Sequence, residues 1–449
     1  VRTWIRNPLA VWTANDIEAG AGLVVDGETI TEVLGAGSGP AGRVDVEFDA
    51  SGLVVTPGLV NCHHHFYQTL TRAFPAALNK DLFPWLTELY PVWARLDEES
   101  IELSTRLALA ELMLSGCTTA SDHHYLFTDA LSSAVDIQVE VAEQLGARVV
   151  LTRGSMSLGK SDGGLPPDEV VQSTDVILAE SERLISRYHD SRPGAYTQIA
   201  LAPCSPFSVT PELMRSTAAL ARDHDVLLHT HLGETEDEND FCLERFGMRP
   251  VDYLADVGWL AGDVWLAHGI HFNEDEIERL GSAGVGISHC PSSNMVLASG
   301  ICRTRELEAA GASVGLGVDG SASNDCSNAM QEVRQAFLLQ RLRYGAANVG
   351  HDDALRWGTA GGAAVLNRPD LGQIAPGQLA DLALFDLEEL RFSGHGDPVA
   401  ALVLCGARTV RHLMVGGEWR VTNGEIPGLD LEQLRLQHQA AATSLAARH

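Results

Sequence analysis

Seven histidines, one glutamate and one aspartate fall at or just past the ends of short apolar runs, and these residue types bind divalent metals and move protons. The segment "GLVNCHHHFYQ" carries His63, His64 and His65 in a row. Side chains alternate faces along an extended chain, so His63 and His65 share one face while His64 points away as a packing residue. By the same alternation Cys62 faces away from His63. A lone His-x-His pair is ambiguous, since two histidines on one face can form a satisfied polar cluster. Here a second pair, His229 and His231, ends "DVLLHTH", and His268 and His289 end two further runs. Asp319 follows the apolar "VGLGV". Histidines with one aspartate are the ligand set of a catalytic zinc or ferrous iron centre that keeps a position open for water. A cytidine-deaminase type of zinc site needs Pro-Cys-x-x-Cys, and here Phe207 stands where the second cysteine would be after Cys204, which excludes that arrangement.

The elements that must carry these groups repeat. Between about Leu53 and Asp319, eight apolar or β-branched runs alternate with helix-forming stretches: "LVVTPGLVNC", "TTASD", "ARVVLTRG", "TQIALAPC", "DVLLHTH", "DVWLAHG", "GVGISHCP" and "ASVGLGVDG". This α/β pattern predicts a closed (β/α)8 TIM-like barrel with its reactive groups at the C-terminal ends of the strands. The flanks read differently. Asp26-Gly27 and Gly416-Gly417 sit between β-prone runs as hairpin signals. The division expected is residues 1–56 and 367–449 forming a small β-sandwich from both termini, around a barrel of residues 57–366. The final "LDLEQLRLQHQAAATSLAAR" reads as a closing helix.

A chain of 449 residues with 45% hydrophobic content buries a large core, and its formal net charge of -29 argues against nucleic-acid polymers and anionic membrane surfaces as partners. No apolar run approaches the roughly 20 residues of a membrane helix, and no signal-like N-terminal pattern is present. Eight scattered cysteines without a Cys-x-x-Cys pair read as free thiols in a reducing cytoplasm. Whether the chain forms a homo-oligomer is left open.

The motifs "PGLVNCHHH", "HTHLGE", "AHG", "SHCPSSN" and "VDGSASND", with "GQLADLALFD" in the C-terminal flank, resemble the amidohydrolase superfamily over nearly the whole chain. They most resemble its aminohydrolase and triazine hydrolase branch. The resemblance implies His63, His65, His231 and Asp319 as ligands to one divalent metal, zinc or alternatively iron. A two-metal variant would need a lysine ending the fourth strand; that run ends "ALAPCSP". The resemblance further implies Glu234 as proton donor to a ring nitrogen, Asp319 as proton shuttle and His268 as a hydrogen-bonding partner of the attacking oxygen. Water activated by the metal would attack an amidine-type carbon and release ammonia. Glu236 and Glu238, in "ETEDEND", read as solvated loop residues.

For a small heterocyclic substrate, Gln68, Arg72, His123 and Trp93 are the expected contacts, Trp85 and Tyr90 line a flat slot or form the core of a lid helix, and "RGSMSLGKSDGGLPPD" is a loop expected to cover the mouth. No role separates His64, His124 and His289. The resemblance carried by these loop segments implies an oxidised purine such as 8-oxoguanine, with s-triazines and isocytosine as competing rings. Two other readings are a metal-binding scaffold without catalysis, which should have lost a ligand or the proton donor, and hydrolytic opening of a cyclic amide.

Overall fold

The computed structural model describes residues 1–128 and 131–447. Eight parallel strands close into a barrel, from Leu59–Asn61 through Cys117–His124, Arg148–Ser155, Thr197–Pro203, Leu228–Leu232, Val264–His268 and Gly286–His289 to Ser313–Leu316, which pairs back onto the first. Every one of these strands is fully or mostly buried, with helices outside and packed side chains within, which is why they read as short apolar or β-branched runs without a solvent-facing polar register.

Seven of the eight runs form one barrel strand each, but "LVVTPGLVNC" divides. Leu53–Pro57 pairs antiparallel with Leu382–Asp386 in a separate five-stranded sheet, and only Leu59–Asn61 enters the barrel. The switch is at Gly58, where a Cβ would lie 2.1 Å from Thr118 Oγ1. The strand can leave one sheet and enter the other only because this residue has no side chain.

The five-stranded sheet takes strands from both ends of the chain, in the order Glu418–Thr422, His412–Val415, Leu382–Asp386, Leu53–Pro57 and Ala10–Val11. A four-stranded sheet of Thr29–Leu34, Gly22–Asp26, Arg2–Arg6 and Val46–Asp49 faces it. Ile5, Leu23 and Val25 from one sheet and Val55, Leu384 and Met414 from the other share an apolar core, making a small sandwich. Both hairpin signals fall in turns, between Gly22–Asp26 and Thr29–Leu34 and between His412–Val415 and Glu418–Thr422.

Barrel and sandwich are tied by Arg148 and Asp381, both buried, whose guanidinium and carboxylate meet through two 3.1 Å contacts. Arg148 also donates to the carbonyls of Gly194 and Ala195 at 2.6 and 2.7 Å, so the buried charges are satisfied rather than stranded. The C-terminal helix Leu431–Ala447 packs beside the helix Glu98–Leu114, and its buried His438 lies 3.0 Å from Thr69 Oγ1.

Candidate metal centre and active site

The first barrel strand ends at Asn61, and the chain then runs extended through His63 and His65 before Phe66–Thr71 forms a 3-10 helix. Extension puts His63 and His65 on one face, with ring centroids 4.7 Å apart. His64 turns away, where its Nδ1 accepts from the His65 amide at 2.7 Å, and burial lowers it to about 3. His231 comes from the fifth strand and Asp319 from just beyond the eighth. One donor atom from each of His63, His65, His231 and Asp319 lies within 4.8 Å of the other three, and all four residues are buried.

The hydrogen-bond chemistry of this cluster calls for a cation. His65 Nδ1 is 2.7 Å from the His123 carbonyl and His231 Nδ1 is 2.6 Å from the Cys204 carbonyl. A carbonyl only accepts, so both Nδ1 atoms carry the hydrogen and both Nε2 atoms present a bare lone pair. Those Nε2 atoms stand 3.2 Å apart, and Asp319 Oδ1 is 3.3 Å from His65 Nε2 and 3.2 Å from His63 Nε2, which has no hydrogen-bond partner among the described residues. Burial holds His63 well below its ordinary range and His231 at about 3, so these rings are neutral. Four acceptors converge with no hydrogen between them. A divalent metal satisfies all four, and the residues present therefore fit one.

Two residues facing this cluster take a left-handed backbone, His268 with φ 72° and Asp319 with φ 60°. Strain of this kind costs about 1–3 kcal/mol per residue and gathers where side chains must be aimed rather than merely packed. His268 Nδ1 lies 3.0 Å from Asn294 Oδ1, leaving its Nε2 bare toward the cavity, 3.5 Å from Glu234 Oε2 and 3.9 Å from Asp319 Oδ2. Ser293 Oγ lies 2.6 Å from Asp319 Oδ2 and turns the carboxylate so that Oδ1 faces the histidines.

Glu234 is 4% exposed, and burial first, then the charge of Asp319, push its carboxyl well above the usual range. The direction of this shift favours the protonated acid, the form a proton donor needs. Behind it stands a residue the sequence reading assigned to solvent. Glu238 is fully buried in the first turn of the helix Glu236–Phe246, accepts from the Gly233 amide at 2.5 Å and is pushed up to about 8 by burial. Glu236, by contrast, is exposed as expected.

A cavity opens above the four-donor cluster. Its polar wall is His65, His231, Glu234, His268, Asp319 and Gln68, and its apolar wall includes Leu82, Trp85, Leu86, Phe207 and Leu297. Gln68 reaches it because the 3-10 helix stacks residue i+3 over residue i: the Gln68 amide donates to the His65 carbonyl at 2.9 Å, and its side-chain Oε1 is buried without a partner among the described residues. Trp85 and Tyr90 line the cavity from the helix Leu82–Trp93, which makes this helix the lid. No residue of "RGSMSLGKSDGGLPPD" lines it.

Three expected substrate contacts lie elsewhere. Arg72, at the end of the 3-10 helix, turns outward to pair with Glu111. Trp93 donates to Thr71 Oγ1 at 3.1 Å behind the lid. His123 sits beneath the ligands inside the barrel, its Nε2 2.9 Å from the Ala202 carbonyl and its ring stacked 4.8 Å from His231. Of the unassigned histidines, His124 bonds the Leu126 carbonyl at 2.7 Å and His289 meets Gln340 at 3.1 Å. Tyr125, Cys204 and Ser323 also line the cavity, and sequence reasoning did not single them out. Ser323 and Asn294 lie in the strand-end motifs "GSASND" and "SHCPSSN", which was the available signal; Glu238 had none.

Residues 54–420 match the amidohydrolase family. Over 446 residues the chain is 64% identical to 8-oxoguanine deaminase of Pseudomonas aeruginosa, with 99% of each chain covered. It is 40% identical over 431 residues to hydroxydechloroatrazine ethylaminohydrolase of a Pseudomonas species, covering 92% of this chain and 88% of that one. Among solved structures, an atrazine chlorohydrolase from Arthrobacter aurescens complexed with zinc superimposes with a TM-score of 0.91 at 32% identity, covering 99% of this chain and 100% of that one.

Proposed function

Since the chain belongs to the amidohydrolase family and is a metal-binding hydrolytic deaminase within it, we propose that it converts 8-oxoguanine and water to urate and ammonia, with a single zinc ion at its centre. The observation that carries the substrate is the identity of 64% over the full length to a deaminase of that purine. A cavity with a flat aromatic wall and an unpartnered amide oxygen at Gln68 suits a planar ring with N–H edges. The zinc-bound triazine relative supports the choice of metal.

His63, His65, His231 and Asp319 would hold the metal. When bound, it supplies hydroxide at neutral pH, because coordination lowers the pKa of water to about 7. The protein's own groups handle the protons. Glu234, protonated in its buried setting, gives a hydrogen to the ring nitrogen beside the amidine carbon, so that negative charge does not build there as oxygen adds. Its Oε2 is 3.5 Å from His268 Nε2, which places donor and nucleophile-facing group on one side of the cavity. Asp319 takes a water proton and passes it to the exocyclic nitrogen, which leaves as ammonia; the carbon keeps the oxygen as a carbonyl, and the remaining hydroxyl proton, on the His268 side, returns to Glu234 and restores the acid. His268 acts as an acceptor: its Nδ1 hydrogen is engaged by Asn294, so the bare Nε2 receives the hydroxyl hydrogen of the attacking oxygen and aims its lone pair at the ring. Gln68 accepts a ring N–H. The eight free thiols suit the reducing cytoplasm where free purine bases occur.

The test is product release from the zinc-loaded protein against 8-oxoguanine, guanine, isocytosine, hydroxyatrazine and a chlorinated triazine. Fast ammonia release from 8-oxoguanine, with urate formed one for one, is expected. Chloride or alkylamine release from the triazines, with 8-oxoguanine untouched, would overturn the substrate and leave the hydrolytic chemistry.

A further inference from the structure

His229 lies on the same strand face as the ligand His231 but contributes nothing to the four-donor cluster or to the cavity wall. We infer that His229 is a positioning residue: a hydrogen-bonded relay from Trp265 through His229 keeps the metal-facing nitrogen of His63 free of hydrogen.

The tautomers follow one from another. The carbonyl of Trp265 is 2.9 Å from His229 Nδ1, and since a carbonyl only accepts, His229 carries its hydrogen on Nδ1. Its Nε2 is then a bare acceptor. That Nε2 is 2.8 Å from His63 Nδ1, so His63 carries its hydrogen on Nδ1 and leaves Nε2 as a lone pair facing His65, His231 and Asp319. Whereas His65 and His231 are each locked directly by a backbone carbonyl, no carbonyl among the described residues engages His63, and the intervening imidazole does that work. His123 adds to the argument. Its Nε2 bonds the Ala202 carbonyl, and its Nδ1 is buried without a partner among the described residues, so it too lacks a hydrogen. One ring nitrogen from each of His63, His123 and His229 lies within 4.8 Å of the others. Removing the hydrogen from His63 Nδ1 would leave this group without any donor.

The relay is mechanically closed. The His229 ring stacks on the Trp265 indole at 4.2 Å with an interplanar angle of 11°, and the indole Nε1 donates to the carbonyl of Cys62 at 3.1 Å, one residue before His63. The strand that fixes the tautomer of His229 thus also holds the backbone that carries His63. Hydrogen-bond partners of metal-bound histidines typically govern metal affinity about 10–100-fold.

The inference rests on His63 being a ligand, and zinc affinity tests both without any substrate. The full-length protein, stripped of metal, is titrated with Zn²⁺ against a chromogenic chelator as wild type, His229→Met, His229→Gln and His63→Ala. His229→Met, apolar and of similar length, should weaken zinc binding by about 10–100-fold. In His229→Gln the amide Oε1 can replace Nε2 as acceptor, so affinity should return close to wild type. Undiminished affinity in His229→Met, or an equal loss in both His229 variants, would overturn the relay if His63→Ala loses zinc. Zinc retained in His63→Ala would instead remove His63 from the ligand set and the relay with it. Should either His229 variant fail to fold, the zinc-loaded wild type labelled with ¹⁵N-histidine gives a second reading. Its spectrum should show Nδ1–H on both His63 and His229, and an Nε2–H tautomer at His229 would overturn the inference. So would two zinc ions per chain with the second lost in His229→Met, because His63, His123 and His229 would then form a second metal site.

Discussion

Glu238→Gln should make the protein relatively more stable as the pH rises. The Glu238 carboxyl is fully buried, its Oε1 accepts from the Gly233 amide at 2.5 Å, and burial raises it to about 8 from an ordinary 4.5. A carboxyl raised on folding binds its proton more tightly in the folded state, so the stability linked to it is present at low pH and lost as the pH climbs through about 8. Between pH 5 and pH 8 the slope is about 1.4 kcal/mol per pH unit, or about 4 kcal/mol in all. Glutamine keeps the acceptor oxygen and cannot ionise, so the variant escapes this loss. With an unfolding entropy of about 2.1 cal/mol/K per residue, 4 kcal/mol is worth about 4 °C in a chain of this size. The assay is thermal unfolding of zinc-loaded wild type and Glu238→Gln from pH 5 to pH 9. The difference in Tm should move by about 4 °C in favour of the variant across that range. A difference that does not change with pH would mean that Glu238 is ionised in the folded protein, and the account of this acid as a neutral brace behind Glu234 would fall.

Glu234→Gln should leave zinc content at the wild-type level and lower kcat by at least about 100-fold; turnover near wild type would remove the proton-donor role. His231→Ala should lose zinc by metal analysis, and full retention would take His231 out of the ligand set. Gly320→Ala puts a Cβ 1.8 Å from Gln68 Oε1, so the amide must move: KM should rise about tenfold with zinc content unchanged, and an unchanged KM would show that Gln68 does not read the substrate. Arg148→Ala strands Asp381 in the interior and should cost about 3–5 kcal/mol in chemical denaturation, with part of it recovered in Arg148→Met combined with Asp381→Leu. A loss below about 1 kcal/mol would place the pair among solvent-screened ion pairs.

The barrel and the gathering of histidines and Asp319 at its strand ends were legible from local rules, while the choice of His63, His65, His231 and Asp319 as one cluster came from the family resemblance. Strands buried on both faces read as apolar runs, and a period of two separates His63 and His65 from His64. The same rules break where the chain leaves a strand. "LVVTPGLVNC" is continuous in hydrophobicity, and only the crowding of Gly58 against Thr118 reveals that it serves two sheets. After His65 the period changes from two to three, which brings Gln68 over the cavity and carries Arg72 past it toward Glu111. His123 obeys strand alternation yet stacks on His231 without lining the cavity, because depth in a barrel depends on the stagger of neighbouring strands. Glu238 was unreadable for a different reason. Five acidic residues fall within "ETEDEND", and which of them turns inward depends on how the helix they begin docks against the Gly233 turn.

Glu234 and Asp319 face one cavity, and their surroundings assign them opposite protonation states. Glu234 has burial and the charge of Asp319 acting in the same direction, so it holds its proton. Asp319 Oδ1 stands among three imidazole nitrogens, two with lone pairs bared by backbone carbonyls and the third by the Trp265–His229 relay. Such a pocket takes a cation, and beside a cation a carboxylate stays ionised. Two carboxyls driven apart in this way suit a donor and an acceptor at the same pH, the pairing that the proposed deamination uses. Each state also depends on the other. With Asp319 neutralised by substitution, part of the force that keeps Glu234 protonated is gone, so the two carboxyls act as a unit and removing either removes more than its own step.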